Sequence, residues 1–388
     1  MEINSYLKRI FEHYDIENTL FLNRYLPFNL LEEYLELQVP DLFKKSVIGH
    51  SELGKPIYAL DFGTGAKKIL LWSQMHGNEG TTTKAILDFI NYIKEYKHGS
   101  LVKTILHNCT IRIIPMLNPD GASLYTRLNA REVDLNRDAV NKSQSETKAF
   151  FENFSTFKPQ YCFNLHGQRT IFGVGETQNS STMSFLAPSY DNLLSVDQHR
   201  EKAMKLIVSA NELLRDLIPN QIGRYDDTHN INCFGDYIQS HKVPTVLFEA
   251  GHYPNDYCRN KTRKFVTMSL LKMIFVIANA NEDVYDISSY HDIPLNKQSY
   301  FDIIVKNVKN SDSQFIGIQY NEVLKDGRIE FIPYIKSLDE LSSFNSHRSI
   351  DAFDKPVFIN GLNFLEENIL IKSIRVGSDQ IEISINSC

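Results

Sequence analysis

The chain has no apolar run long enough to span a bilayer, which excludes helical membrane-spanning classes. It also lacks a basic block. Its 41 Lys and Arg are dispersed among 47 Asp and Glu, for a net charge of −6, so nothing offers a phosphate backbone a docking surface. Cysteine is sparse. Cys109, Cys162, Cys233, Cys258 and Cys388 are scattered, odd in number and form no CxxC pair, a pattern that reads as free thiols in a reducing compartment. The first eleven residues are amphipathic, without a long apolar core or a small-residue cleavage site. No signal peptide is therefore expected, and cytoplasm is the default location. Repeats and low-complexity tracts are absent too. What is present, 388 residues at 42% hydrophobic and 23% charged, suits a globular protein with one large domain and a smaller one.

The hydrophobic pattern divides the chain in three. Residues 1–44 form an N-terminal helical segment of two helices split near Asp15–Asn18, with Asn18 as a candidate cap. Leu7, Ile10 and Phe11 share one face, as in a flap packed on the main body. Residues 45–284 alternate strand and helix. The strands are Ile57–Phe62, Lys68–Trp72, Thr110–Met116, Tyr161–Leu165 and Val243–Phe248; the helices are Thr81–Tyr96, Glu146–Phe154, Gln198–Leu217 and Lys261–Ala280. Continuous apolar strands between helices imply an α/β fold, a mixed, largely parallel sheet with helices on both faces. Residues 285–388 change texture. Short runs rich in Ile, Val, Tyr and Phe, separated by Asn, Asp, Gly and Ser, predict a small antiparallel β region.

The chemistry is concentrated at strand ends, where ligand clefts of open α/β sheets lie. His76-Gly77-Asn78-Glu79-Gly80 follows the apolar run Lys68–Trp72, and a His and a Glu three residues apart on such a turn can reach one metal ion. A catalytic zinc needs a third protein ligand and an open position, and His166, after Phe163-Asn164-Leu165, is the natural third. Glu249 follows the apolar Val246-Leu247-Phe248. A lone Glu in such a setting is rare without a task, and near a metal-activated water it can act as a base.

Four further motifs stand in a fixed order around these residues: Asn118-Pro119-Asp120-Gly121, Arg127, Val133-Asp134-Leu135-Asn136-Arg137, and Leu247-Phe248-Glu249-Ala250-Gly251. With His76, Glu79, His166 and the upstream stretch Gly49–Ile57, the set resembles the zinc carboxypeptidase family of the carboxypeptidase A type, over about residues 45–280. The resemblance implies residues 45–284 as a zinc peptidase catalytic domain with one Zn2+ held by His76, Glu79 and His166. It implies Asp134 as the hydrogen-bond partner of the first histidine and Glu249 as the group that activates the zinc-bound water. It implies Arg127 at the oxyanion and Asn136 and Arg137 on the substrate's terminal carboxylate. Arg131 is a rival to Arg127 in the same irregular loop. Relatives carry a mobile tyrosine before the glutamate; Tyr225 is the nearest tyrosine here, and His229 stands closer in register. Asp236 falls where the family's side-chain pocket is lined and would favour an amine-bearing group. Gln168, Arg169, Glu176 and His252 are near the site in sequence and carry no assigned role.

The implied function is hydrolysis of the C-terminal amide bond of a peptide or peptide-like substrate with a free carboxylate. No nucleic-acid or membrane partner is expected, and the oligomeric state is open. A related zinc amidohydrolase that deacylates an N-acyl amino acid is the alternative. A catalytically silent binding protein is the third reading, disfavoured because all three ligands and the glutamate are present.

Overall fold

The computed structural model describes residues 3–12, 21, 23–39, 41–385 and 388. The anticipated helix break at 15–18 and its cap Asn18 lie outside these residues. Helix α1 (Ile3–Glu12) buries Leu7 and Phe11 against the main body, as its one-sided apolar pattern requires. Helix α2 (Phe28–Leu37) opens after Pro27 and buries Leu31, Tyr34 and Leu35.

Next come β1 (Lys44–His50), β2 (Pro56–Phe62), β3 (Lys67–Ser73), α3 (Gly80–Glu95), α4 (Ser100–Asn108), β4 (Cys109–Ile114), α5 (Pro119–Leu124) and α6 (Ser145–Phe157). The chain continues through β5 (Tyr161–Gly167), β6 (Phe172–Val174), β7 (Met183–Leu186), α7 (Gln198–Leu214), β8 (Ile222–Arg224), α8 (Phe234–Ser240), β9 (Thr245–Ala250) and α9 (Asn260–Asn279). Eight of the strands make one mixed sheet in the order β1-β2-β4-β3-β5-β9-β7-β8, parallel through its centre from β4 to β9.

Both faces of the sheet are covered, and the strand period of two sorts the side chains between them. Ile69 and Leu71 of β3 join the large core with α3, α7 and α9, while Leu70 and Trp72 join a second core under α6 and α8. In that second core Phe150 meets Trp72 at 4.8 Å and Phe234 at 4.9 Å between ring centroids. Strands β3, β5 and β9 are buried on both sides, which is why they read as unbroken apolar runs rather than alternating ones.

After α9 come α10 (Ser288–His291), β10 (Asn296–Gln298), β11 (Tyr300–Lys306), β12 (Phe315–Lys325), β13 (Arg328–Ser337), β14 (Asn345–Asp351), β15 (Val357–Ile359), β16 (Ile374–Val376) and β17 (Asp379–Ile381). They build a four-stranded sheet, β13-β12-β11-β14, and a three-stranded one, β15-β16-β17; β10 pairs with β6. The expected all-antiparallel arrangement is corrected at one strand. β14 pairs parallel with β11. Its sequence, Asn-Ser-His-Arg-Ser-Ile-Asp, is polar and only partly buried, so no local pattern marks it.

The cysteine reading is corrected as well. Cys258 and Cys388 are joined in a disulfide across 130 residues, leaving Cys109, Cys162 and Cys233 as the free thiols. Their wide spacing hides the pair from the sequence. The bond also withdraws the argument from free thiols to a reducing compartment. Among the described residues no helix is long and apolar enough to cross a membrane.

The second core supplies a direct test. Phe150 is fully buried among Trp72, Phe151 and Phe234. Truncation to alanine should cost about 3–5 kcal/mol of unfolding free energy in urea titration. A loss under about 1 kcal/mol would mean that this aromatic cluster does not close the α6 face.

Candidate metal centre and cleft

The turn after β3 is held from below by Asn118. Its side chain caps α5, accepting from the Gly121 N–H at 2.8 Å, and donates to the Met75 carbonyl at 3.1 Å. The Asn-Pro-Asp-Gly turn is thus a buttress for the residues leading into His76. Gly77 presses on it: a Cβ there would sit 2.0 Å from the Gly121 carbonyl carbon, so only glycine fits. The stretch Gly49–Ile57 is a second buttress. Leu53 N–H donates to Asp120 at 3.0 Å, and Glu52 accepts from Ser145 N–H at 2.7 Å.

On this footing three side chains converge. His76 Nδ1 lies 2.8 Å from Glu79 Oε1, and His166 Nδ1 lies 3.0 Å from Glu79 Oε2. The two Nδ1 atoms are 3.2 Å apart. A tetrahedral zinc with bonds of about 2.0–2.1 Å holds its ligand atoms roughly 3.3 Å from one another, so the donor set and its spacing fit that ion. One candidate ligand atom from each of His76, Glu79 and His166 lies within 4.8 Å of the others. Burial would lower the His76 imidazole, but Glu79 and Asp134 on its two sides outweigh it and bring it up to about 9. Burial would raise the Glu79 carboxyl; the two histidines instead hold it well below the usual range.

Asp134 serves two purposes. Its Oδ1 lies 3.0 Å from His76 Nε2 and also accepts from Asn136 N–H at 2.9 Å, capping the short 3-10 turn Leu135–Arg137. A carboxylate on Nε2 keeps the proton there and leaves Nδ1 free as a donor to metal. Arg127 reaches the same group, with Nε and Nη2 3.2 and 3.1 Å from Asp134 Oδ2 and Nη1 3.4 Å from Glu79 Oε1. Its rival Arg131 turns away and pairs with Glu52 at 2.6 Å.

Glu249 sits beside His166 in the β5–β9 register and is buried, with Oε2 lacking a hydrogen-bond partner. Burial, then the nearby Glu79 charge, push its carboxyl well above the ordinary value. Arg259 braces both strand ends: Nη1 donates to the Ala250 carbonyl at 2.9 Å and Nη2 to the Gln168 carbonyl at 3.0 Å.

These groups open onto a cleft of about 1100 Å3. Asn136, Arg137, Tyr225, His229, Cys233 and Asp236 line it. Arg137 Nη1 donates to the Asn136 carbonyl at 2.7 Å and lies 3.1 Å from Cys233 Sγ; among the described residues no carboxylate pairs with it. Asn136 is fixed by the Phe234 N–H at 2.9 Å. His229 is tied to the Ser189 carbonyl at 3.1 Å, whereas the Tyr225 ring packs on Phe172 and burial raises its hydroxyl above the normal range. Asp236 is buried at the start of α8 and accepts from Asn230 N–H at 2.8 Å. Burial lifts its carboxyl to about 6.

Of the residues without an assigned role, Gln168 is used up inside by Ser181, Ser184 and Asn296, and Glu176 pairs with Lys297 at the surface. His252 is buried between Tyr257 and His347. Arg169 lines the cleft. Sequence reasoning missed the opposite wall altogether. Arg24, Tyr125, Tyr320, Asn321, Glu322 and Tyr334 line it; all but Tyr125 come from outside the motif region, and none belongs to a motif.

A mixed α/β sheet with a His-Glu-His group and a buried glutamate at its strand ends defines a candidate metallohydrolase. The family model described as zinc carboxypeptidase matches residues 30–242, and the chain belongs to that family. It is 31% identical over 137 residues to carboxypeptidase SOL1 of Arabidopsis thaliana, which is 31% of this chain and 28% of that protein. It is 35% identical over 83 residues to gamma-D-glutamyl-L-diamino acid endopeptidase 1 of Lysinibacillus sphaericus, covering 20% of this chain and 21% of that one. The matches thus span about a quarter of those relatives' length. In fold it is similar to a metallo-carboxypeptidase from Burkholderia cenocepacia, with a TM-score of 0.54 and 17% identity over 66% of this chain and 71% of that one.

Metal analysis tests the centre. His76→Ala, Glu79→Ala and His166→Ala should each abolish stoichiometric zinc, because three ligands leave none to spare. Asp134→Asn should keep the site but weaken zinc affinity about 10–100-fold. Full zinc occupancy in an alanine variant would remove that residue from the set.

Proposed function

We propose that this chain is a zinc-dependent metallocarboxypeptidase, hydrolysing the C-terminal amide bond of a peptide or peptide-like substrate. His76, Glu79 and His166 would hold the zinc. The ion supplies a Lewis acid that polarises the scissile carbonyl and lowers the pKa of water. Asp134 holds the His76 imidazole in the tautomer with Nδ1 free. Glu249, unpartnered at Oε2 and raised by burial, takes the proton of the attacking water and passes it to the leaving amine. Arg127, half exposed and tethered among the described residues through Asp134 and Glu79, is free to meet the developing oxyanion. Tyr225 closes over the bound residue from the Phe172 side, and His229, anchored to Ser189, is the weaker choice.

The observation that carries the exopeptidase reading is Arg137, a guanidinium facing the cleft with no carboxylate of its own among the described residues. Its planar fork meets a substrate's terminal carboxylate in two parallel bonds, with Asn136 alongside. Amidating that terminus removes the charge and one paired oxygen. Wild-type enzyme should then cleave free-acid peptides at least tenfold better than their amides, a gap of about 1.4 kcal/mol or more. Arg137→Ala should shrink the gap, and Arg137→Lys should recover part of it. Equal cleavage of acid and amide would sink the carboxypeptidase reading. N-acyl amino acids, run beside the peptides, test the deacylase alternative.

Asp236 has no ionic partner among the described residues, and it suits a substrate whose final side chain carries an amine. That preference has a pH signature. Its carboxyl is pushed up to about 6, so the group is neutral below that pH and attracts a cation only above it. The ratio of kcat/KM for lysine-ended over leucine-ended peptides should therefore climb as pH rises through about 6 and then level off. In Asp236→Asn the ratio should stay flat. A wild-type ratio that ignores pH would take Asp236 out of the pocket.

A further inference from the structure

Arg169 lines the same cleft as Arg137. The strongest charges around Asp236 come from His229, Arg200 and Arg137, and those around Glu322 come from Arg24, Arg259 and Arg169. Arg137 and Arg169 thus stand in different charged surroundings within one cleft. With the terminal carboxylate at Arg137, Arg169 is available to another part of the substrate.

Arg169 sits on a fixed backbone. The Gln168 carbonyl accepts from Arg259 at 3.0 Å, and His347 Nε2 lies 2.9 Å from the Thr170 carbonyl. The Ile171 carbonyl accepts from the N–H groups of Ser299 and Tyr300 at 3.2 and 3.1 Å. Every one of these anchors but Arg259 comes from residues beyond α9. The nearby carboxylate is already spoken for: Glu322 accepts from Arg24 at 2.9 and 3.1 Å and from the Tyr125 hydroxyl. Asp302 is turned inward, bound by the Tyr257 hydroxyl at 2.9 Å and the Tyr320 N–H at 2.9 Å. Arg169 is left exposed to the cleft without a hydrogen-bond or ion-pair partner among the described residues, and Tyr320 and Tyr334 line the same cleft. A held backbone, a free planar fork and neighbours that do not compete for it make a preorganised anion subsite.

We propose that Arg169 binds a carboxylate on the acyl-side residue of the substrate, a glutamyl or aspartyl group, so that the preferred substrate carries two carboxylates, each gripped by its own arginine in the cleft. The subsite rests on the carboxypeptidase reading only for its orientation. Its existence has an independent readout in binding.

The zinc-loaded Glu249→Gln variant, which lacks the base assigned above, is titrated calorimetrically with acetyl-Glu-Lys and acetyl-Gln-Lys, and the wild type is assayed for hydrolysis of both. The glutamyl peptide should bind roughly five- to tenfold more tightly and show a similar advantage in kcat/KM. The advantage should shrink at high ionic strength, because the guanidinium is exposed. Arg169→Gln should bring the glutamyl peptide down to the glutaminyl level while retaining one zinc per chain. Arg169→Glu should turn the preference toward acetyl-Lys-Lys. Equal affinity for the two peptides, or a preference that survives Arg169→Gln, would overturn the assignment. A clear binding preference with no hydrolysis of either peptide would uphold Arg169 and refute the carboxypeptidase reading instead.

Discussion

The cleft depends on one constraint: Glu79 must stand between two imidazoles, with both Nδ1 atoms turned toward it, although its charge is mostly removed from water. An isolated buried carboxylate costs several kcal/mol. Here the cost is offset by His76, His166 and the Gly167 N–H at 3.0 Å, with Arg127 at the edge. Those partners arrive from three separate stretches of chain, the turn after β3, the end of β5 and the loop after α5, so the surrounding fold serves mainly to keep them in step. The parallel register of β3 with β5 sets His76 near His166, and that of β5 with β9 sets Glu249 beside them. Asn118, Gly77 and Arg259 then fix the loops that leave these strands.

The donors were legible because metal chemistry restricts residue type and because each donor closes an apolar run. His76, Glu79, His166 and Glu249 were named from such local signals and Asp134 from the family resemblance, and the structure gathers them at one place. The central strands were legible for a related reason: burial on both sides leaves an unbroken apolar signature. Features set by distant partners were not. β14 is polar and earns its place only by pairing with β11, and Cys258 finds Cys388 across 130 residues. The Arg127 and Arg131 ambiguity likewise needed geometry. Only the position of Glu52 showed that Arg131 faces outward.

The family match ends at residue 242, short of Glu249 and of the whole β-rich region. That region nevertheless supplies Tyr320, Asn321, Glu322 and Tyr334 to the cleft and anchors the backbone that follows Arg169, at Thr170 and Ile171. Differences in selectivity between this chain and its relatives are therefore expected to originate in the wall rather than in the donors.

The Arg24–Glu322 pair joins residues 298 positions apart and closes that wall. Contacts of such span form late, since a long loop must be ordered before they repay its entropy. A growing chain would therefore gather its metal donors and glutamate before the wall exists, passing through a stage with an open, unselective trough. The ion pair ties the N-terminal segment to the β-rich region, so the particular shape of the cleft is a property of the whole chain and not of the motif region alone.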